Sequence, residues 1–407
     1  MTDASVQTAS PAGSRQAGLA QGIVLIILAS MPTMAIVTLV PNLPQLFKRF
    51  HDVPGSDFLV PMIITLPSLC IAIFSPLAGA LADFWGRRPL LILSTFVYAL
   101  VGVLPFLLSD LYAILAARFA IGVAEAGILS CQNALMGDYF EGKKRQYWLG
   151  MMSFFGPIIA TGLVLAGGQL GSWDWRGPFL LYLLGLPVAL WVALAVFEPQ
   201  AKQEEHRGDA PTTFPWAAAR LVAVVTIAVA VVYFVQAVQL GRMFSDHGID
   251  SPAQISFYVT VASCGVFIGG FVFSRLTNVR TSTRFVLVLL SMGIGYAGLG
   301  LAPTAAAAIP FGIVAQFGNG LTLPTLIGWA LTKFEFQNRG RGMGIWSGCF
   351  FIGTFLSPPF VTLVGKAAGS FLQTVSVIGM ACVVVALAVW FLGRRATPSP
   401  ARSQPST

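Results

Sequence analysis

The sequence predicts an all-α membrane protein whose twelve transmembrane helices form two six-helix bundles related by a pseudo-two-fold axis. Three observations carry this expectation: the composition, the spacing of apolar runs, and a lopsided placement of Lys and Arg. Of 407 residues, 56% are hydrophobic and only 10% are charged, with a mean hydropathy of +0.78. A soluble chain of this length needs many more charges to cover its surface, so the outer surface here faces lipid.

A spanning helix needs about 20 mostly apolar residues. Charge and Gly/Pro punctuation place spans at 19–46, 58–81, 89–108, 111–137, 146–170 and 177–197. A second set falls at 215–243, 253–274, 284–302, 306–332, 342–365 and 370–393. Between the sets lies a linker, 198–214, with charges of both signs (Lys202, Glu204, Glu205, Arg207 and Asp209). Residues 1–18 read as a polar disordered tail lacking the zones of a cleavable signal, and 394–407 as a second tail. The side holding both termini and the connections after even spans carries 18 of the 24 Lys and Arg, and the opposite side carries 5. By the positive-inside rule both termini are cytoplasmic, in a multi-pass protein of the inner membrane.

Charge and reactive residues exclude other classes. The net charge of +8 sits at segment ends rather than in patches with interleaved aromatics, which argues against nucleic acid. Cys70, Cys131, Cys264, Cys349 and Cys382 lie in apolar stretches without a C-x-x-C pair. His51, His206 and His247 are far apart in connecting segments. No nucleophile set, metal cage or cofactor motif assembles from these, so the chain reads as a non-enzyme without cofactors.

The halves echo each other. Asn42-Leu-Pro-Gln-Leu-Phe47 ends span 1 and Gln239-Leu-Gly-Arg-Met-Phe244 ends span 7. Phe140-Glu141 precedes Gly150 by ten residues, as Phe334-Glu335 precedes Gly344. Arg118-x-x-x-Gly122 in span 4 falls opposite Gln316-x-x-x-Gly320 in span 10. Duplication of a six-helix half is a transporter plan, with the site near the midplane between halves.

The strongest local signal follows span 2: Gly79-Ala-Leu-Ala-Asp83-Phe-Trp-Gly86-Arg87-Arg88. Gly79 permits close helix contact and Gly86 a tight turn, while Arg87 and Arg88 hold that turn inside. Asp83 can pair with basic groups or cap a neighbouring helix. The run resembles the loop signature of the major facilitator superfamily, with every fixed position present. The resemblance implies the two-bundle fold over 19–393, alternating access, and a latch that closes the cytoplasmic side in one state. At the corresponding place in the second half, Gly270-x-x-x-Ser274-Arg275, the acid is absent.

Span 4 carries the superfamily's arginine four residues before a glycine, as Arg118 and Gly122; its Gly-x-x-Glu-Ala-Gly ending resembles Spinster-type and anion:cation symporter members. Arg118, Gly122, Glu125, Leu129 and Gln132 share one helix face, which is expected to point into a protected or watery cavity. Fifteen of the sixteen acids lie in tails, loops or span ends, and Glu125 alone lies mid-span. Arg118 is about 10 Å away along the axis. Burial favours a neutral carboxyl and a cation favours the carboxylate, so Glu125 and Arg118 suit proton coupling; a static pair fixing helices is the competing reading.

Gly156-Pro157 in span 5 resembles the antiporter signature of drug:proton antiporters, although Ile158 and Ile159 replace the small residues that follow there. A Gly-Pro kink with close packing explains it as well. Trp173-Asp-Trp175-Arg176-Gly-Pro-Phe179 resembles a turn before span 6 of many exporters. By analogy with the superfamily, spans 1, 4, 7 and 10 line the pore. Thr33, Gln132, Gln236, Gln239, Gln316, Asn319, Trp346 and Phe350 are the cavity candidates, suiting an amphipathic, uncharged or cationic solute. The reading is proton-coupled export of drug-like or metabolite solutes by a monomer in the lipid bilayer. The alternatives are proton-coupled uptake of an organic anion, a Spinster-like lipid carrier, or a non-transporting membrane sensor.

Overall fold

A computed structural model describes residues 17–199, 214–276 and 279–395. Most of both predicted tails and of the 198–214 linker lies outside these residues. Among them, twelve segments are long and apolar enough to cross a membrane. The first half comprises α1 (Leu19–Val37), α2 (Leu43–Arg49), α3 (Ser56–Trp85), α4 (Arg87–Leu107), α5 (Leu111–Tyr139), α6 (Gly142–Trp173) and α7 (Gly185–Ala195). The second comprises α8 (Trp216–Ser245), α9 (Pro252–Arg275), α10 (Thr281–Leu301), α11 (Ala305–Leu331), α12 (Arg339–Ala368) and α13 (Phe371–Arg395).

Two spans depart from a plain α-helix, and proline explains both. The first span breaks after Val37 into a 3-10 turn, Val40–Asn42, before α2 resumes. Pro41 has no N–H to continue the ladder, and Leu39 bonds back only to Ile36. The sixth span opens as a 3-10 stretch, Gly177–Leu184, with Pro178 in its first turn, before α7. Several other helices run past the predicted bounds because a helix need not stop where the apolar run stops: α6 begins at Gly142 and so includes Lys143, Lys144 and Arg145.

An even number of spans puts both termini on one face. On the opposite face the halves meet, α3 against α12 and α6 against α9. At Gly168 of α6 a Cβ would stand 2.7 Å from the Pro252 carbonyl oxygen of the other half. Lys48 Nζ lies 2.8 Å from Asp250 Oδ1 across the seam, and the Ala253 N–H donates to Ser172 Oγ at 3.0 Å. The echoed segments noted above, 42–47 and 239–244, both lie here. Towards the termini the halves separate: Gly150, Gly156 and Gly162 of α6, and Gly344 and Gly348 of α12, have no neighbour within 4 Å of where a side chain would start. The close contact expected of Gly79 and Gly156 is therefore not made in this arrangement.

Candidate functional site

A cavity of about 480 Å³ lies between the halves, under the closed seam. It is lined from α1, α6, α8, α9 and α11, that is, spans 1, 5, 7, 8 and 10. Span 4 is not part of this wall, contrary to the superfamily analogy, and spans 5 and 8 take its place. The reason is packing: α5 is enclosed by α3, α4 and α1 within its own half. The signal for span 5 was its Gly, Ser and Thr content, which leaves a thin, wettable surface rather than interlocking side chains.

Of the cavity candidates, Thr33, Gln236, Gln316 and Asn319 line this wall, as do Gly156 and Pro157 at the kink of α6. Among the described residues no charged side chain lines it. The amides form a chain on the second half: Asn319 Nδ2 donates to Gln316 Oε1 at 2.9 Å, Gln316 Nε2 donates to Ser263 Oγ at 3.4 Å, and Gln236 Nε2 donates to the Gly312 carbonyl at 3.2 Å. Gln236 Oε1 and Asn319 Oδ1 are left buried without a partner. Unpaired acceptors of this kind favour a ligand that carries O–H or N–H groups. Tyr233, Ser30 and Phe267 also contribute to the wall.

The remaining candidates sit elsewhere. Gln132 is buried in the first half, its amide 3.9 Å from Met152 Sδ. Gln239 borders a smaller cavity of about 290 Å³ at the closed face, beside Asp57 and Arg242. Trp346 and Phe350 stack on each other at 5.6 Å, and Phe350 packs on Tyr233 and Phe234, behind the cavity wall.

Arg118 and Glu125 are in the core of the first half, 0% and 1% exposed. Arg118 is satisfied by neutral groups. Its Nε donates to the Ile63 carbonyl, one terminal nitrogen donates to the Tyr182 hydroxyl, and the other donates to the Ala35 carbonyl at 2.8 Å. The chain has left these carbonyls open. Pro67 stands four residues after Ile63 and has no N–H to give it, and Leu39, four after Ala35, bonds to Ile36 instead. One guanidinium thus ties α1, α3 and the sixth span to α5. It makes no ion pair with Glu125 within 4.0 Å, and Glu125 Oε1 has no hydrogen-bond partner. Of the protected or watery surroundings expected for this face, the structure has the protected ones, in the form of close packing. At Gly122 a Cβ would stand 2.6 Å from both Cys70 Cβ and Pro67 Cα.

The loop on the termini face is built around Gly86, whose φ of 99° is left-handed territory that glycine enters freely. Glu198 caps α4: its two carboxylate oxygens accept the backbone N–H groups of Arg87 and Arg88, each at 2.8 Å. Arg88 also donates to the Ala193 carbonyl at 2.9 Å. Arg87 forms an ion pair with Asp138 at the end of α5. Asp83 is 76% exposed, with Arg87 at 4.0 Å. Sequence reading assigned Glu198 to the linker and missed its capping role, because the contact spans more than a hundred residues.

The sequence matches the family profile described as Major Facilitator Superfamily over residues 23–335 and again over 223–406. It is 31% identical over 198 residues to the tetracycline resistance protein, class C, of Escherichia coli, covering 46% of each chain. It is 25% identical over 291 residues to multidrug resistance protein 2 of Bacillus subtilis (strain 168), covering 67% of this chain and 71% of that one. The match to the tetracycline protein spans about half of that relative's length. A bacterial homologue of the human lysosomal transporter Spinster, solved in an inward-facing and occupied conformation, superposes with a TM-score of 0.73 at 17% identity, over 96% of this chain and 100% of that one. A repeated six-helix half, the complete loop signature, a cavity between the halves and a profile match across most of the chain converge: this multi-pass membrane protein belongs to the major facilitator superfamily.

Proposed function

We propose that this chain is a proton-coupled exporter of small, uncharged amphipathic solutes, working as a monomer in the inner membrane with both termini in the cytoplasm. The observation that carries the reading is the cavity of about 480 Å³ between the halves, walled by amides, hydroxyls and apolar groups without a charge. Such a wall suits a solute with an apolar body and a few O–H or N–H groups. Uptake of an organic anion is less well supported, because no cation faces that space. The drug-resistance names of two relatives support the outward direction. In this arrangement, closed opposite the termini, the carrier loads from the cytoplasm.

Glu125 is the coupling group of this proposal, with Arg118 as the fixed charge that holds its environment. Its Oε1 is buried without a hydrogen-bond partner in this arrangement. An alternate arrangement that admits water between α5 and its neighbours would favour the carboxylate. The loop acid Asp83, exposed here and held only by Arg87 at 4.0 Å, is the latch of that other arrangement.

The test is a screen of uncharged and anionic fluorescent solutes in proteoliposomes under an imposed pH gradient, with wild type and Glu125→Gln compared. Wild type accumulates a solute when driven by pH. Glu125→Gln exchanges the same solute at equilibrium but does not concentrate it. Gradient-driven accumulation by Glu125→Gln removes Glu125 from the coupling role. Accumulation only of anions overturns the solute class.

A further inference from the structure

The turn after α8 holds an arrangement that only a cation can complete. His247 Nδ1 is 2.6 Å from the Met243 carbonyl oxygen, and His247 Nε2 is 3.2 Å from the Ala302 carbonyl oxygen. Carbonyl oxygens only accept, so both ring nitrogens must donate, and a neutral imidazole has one N–H. The two acceptors have the same origin. Met243 lies in the last turn of α8, and Ala302 is the residue that ends α10. Both helices run from the termini face to the opposite face, so two helix C-termini, each carrying partial negative charge, converge on one ring. The ring is partly exposed at that face and open to solvent protons.

We infer that His247 is a proton-binding site on the face opposite the termini, and that its imidazolium form holds the α8–α9 turn where that turn closes the two halves. The turn reaches the seam in both directions. Three residues on, Asp250 pairs with Lys48 of the first half at 2.8 Å. Five residues back, the Arg242 guanidinium lies 4.4 Å from the Phe47 ring of the first half and 4.2 Å from the Phe371 ring of α13. Lys48 and Asp250 are both well exposed, so their pairing depends on how firmly the turn presents Asp250. Loss of one imidazole N–H frees the turn from the end of α10 and loosens the seam. Acid on this face therefore favours the arrangement seen here, and in an exporter it drives the return of the emptied carrier. The inference concerns seam closure, and stands whether or not Glu125 couples transport.

The charged neighbours from each packed element are Asp246 and Arg242 on α8 and its turn, Asp250 before α9, and Lys48 and Asp57 from the first half. The connection 302–304 from α10 to α11 has no titratable residue. His51, whose Nδ1 is 3.0 Å from the Lys48 carbonyl, is a second histidine near the seam, so it is replaced by Asn throughout the test. Spin labels at Pro54→Cys and Gln254→Cys, in the full chain with its own cysteines replaced and reconstituted in nanodiscs, report the distance across the seam. With His247 present, the short-distance population grows several-fold from pH 8 to pH 5.5. His247→Asn keeps the pH 8 distribution at both values, and His247→Arg keeps the short distance at both. Equal distributions at pH 8 and pH 5.5 with His247 present overturn the inference, as does a His247→Asn variant that still responds. If His247→Asn does not fold, the pH response of the His247 protein and the flat response of His247→Arg decide it.

Discussion

Single residues in this protein are constrained by what the backbone around them has left unpaired. Arg118 takes up carbonyls freed by Pro67 and by the end of α1. Its removal leaves those acceptors, the Tyr182 hydroxyl and the Glu125 carboxyl buried without it. Arg118→Ala should lower stability by about 1–3 kcal/mol for each buried acceptor it leaves unpaired, read as a fall in melting temperature in detergent. Arg118→Lys should recover only part of it, since an ammonium cannot span three acceptors on three elements. Gly122 makes the matching prediction for volume. With a Cβ 2.6 Å from the Pro67 backbone, Gly122→Ala should cost about 1–3 kcal/mol. Gly156→Ala has open space around it and should leave the melting temperature of this arrangement unchanged or slightly higher. Equal losses at the two glycines would contradict the packing described here.

At the scale of elements, helix ends carry much of the organisation. α4 starts on a glycine turn and has no side-chain cap of its own; the Glu198 carboxylate, arriving from beyond α7, accepts its first two N–H groups. Glu198→Ala should destabilise the start of α4 by about 1 kcal/mol, the usual worth of a helix cap. The effect should appear as faster amide exchange confined to the first turn of α4, and Glu198→Asp should restore part of the protection. Uniform exchange across α4 in Glu198→Ala would deny the carboxylate that role. The broken first span is a second such case. Asn42 Nδ2 donates to the Thr38 and Gly167 carbonyls, at 3.2 and 3.0 Å, and so ties the break to α6.

For the whole molecule, the two faces are closed by different means. The face opposite the termini is sealed by backbone approach at glycines and by one exposed ion pair, Lys48–Asp250. An exposed pair is worth about 0.2–1 kcal/mol. Lys48→Asp loses that pair and adds a like-charge repulsion of similar size, so it should shift the balance away from this arrangement by no more than about thirty-fold, and Lys48→Asp with Asp250→Lys should restore it. Cross-seam distances measured at low and at 0.5 M salt check this, since the wild-type preference should weaken with salt. On the termini face the loop acid Asp83 is exposed and meets only Arg87, at 4.0 Å. Asp83→Asn should leave melting temperature unchanged, because its exposed contact with Arg87 is weak, yet slow turnover severalfold if the proposed latch forms in the other arrangement. Unchanged turnover would confine the loop to a topological role.

The sequence by itself determined the number of spans, their order, the duplicated halves and the sidedness of charge. These follow from local or summed properties: apolar length against bilayer thickness, and Lys and Arg counts at span ends. It also singled out Arg118, Glu125 and the Gly79–Arg88 run, since a mid-span charge or a glycine-rich turn is visible in one dimension. Which helices face the cavity was decided only in three dimensions. α5 carries a polar face with Arg118, Glu125 and Gln132, yet each Arg118 guanidinium nitrogen donates to a carbonyl of α1 or α3 or to Tyr182, and that face is packed shut. α6, read mainly as a kinked and glycine-rich packing helix, turns out to line the cavity with Ser153, Thr161 and Pro157. His247, set aside as a lone loop histidine, gains meaning only when the ends of α8 and α10 are brought together across 55 residues. The physical reason is the same in each case: a polar group's role depends on which unpaired partners the fold delivers to it, and those partners are remote in sequence.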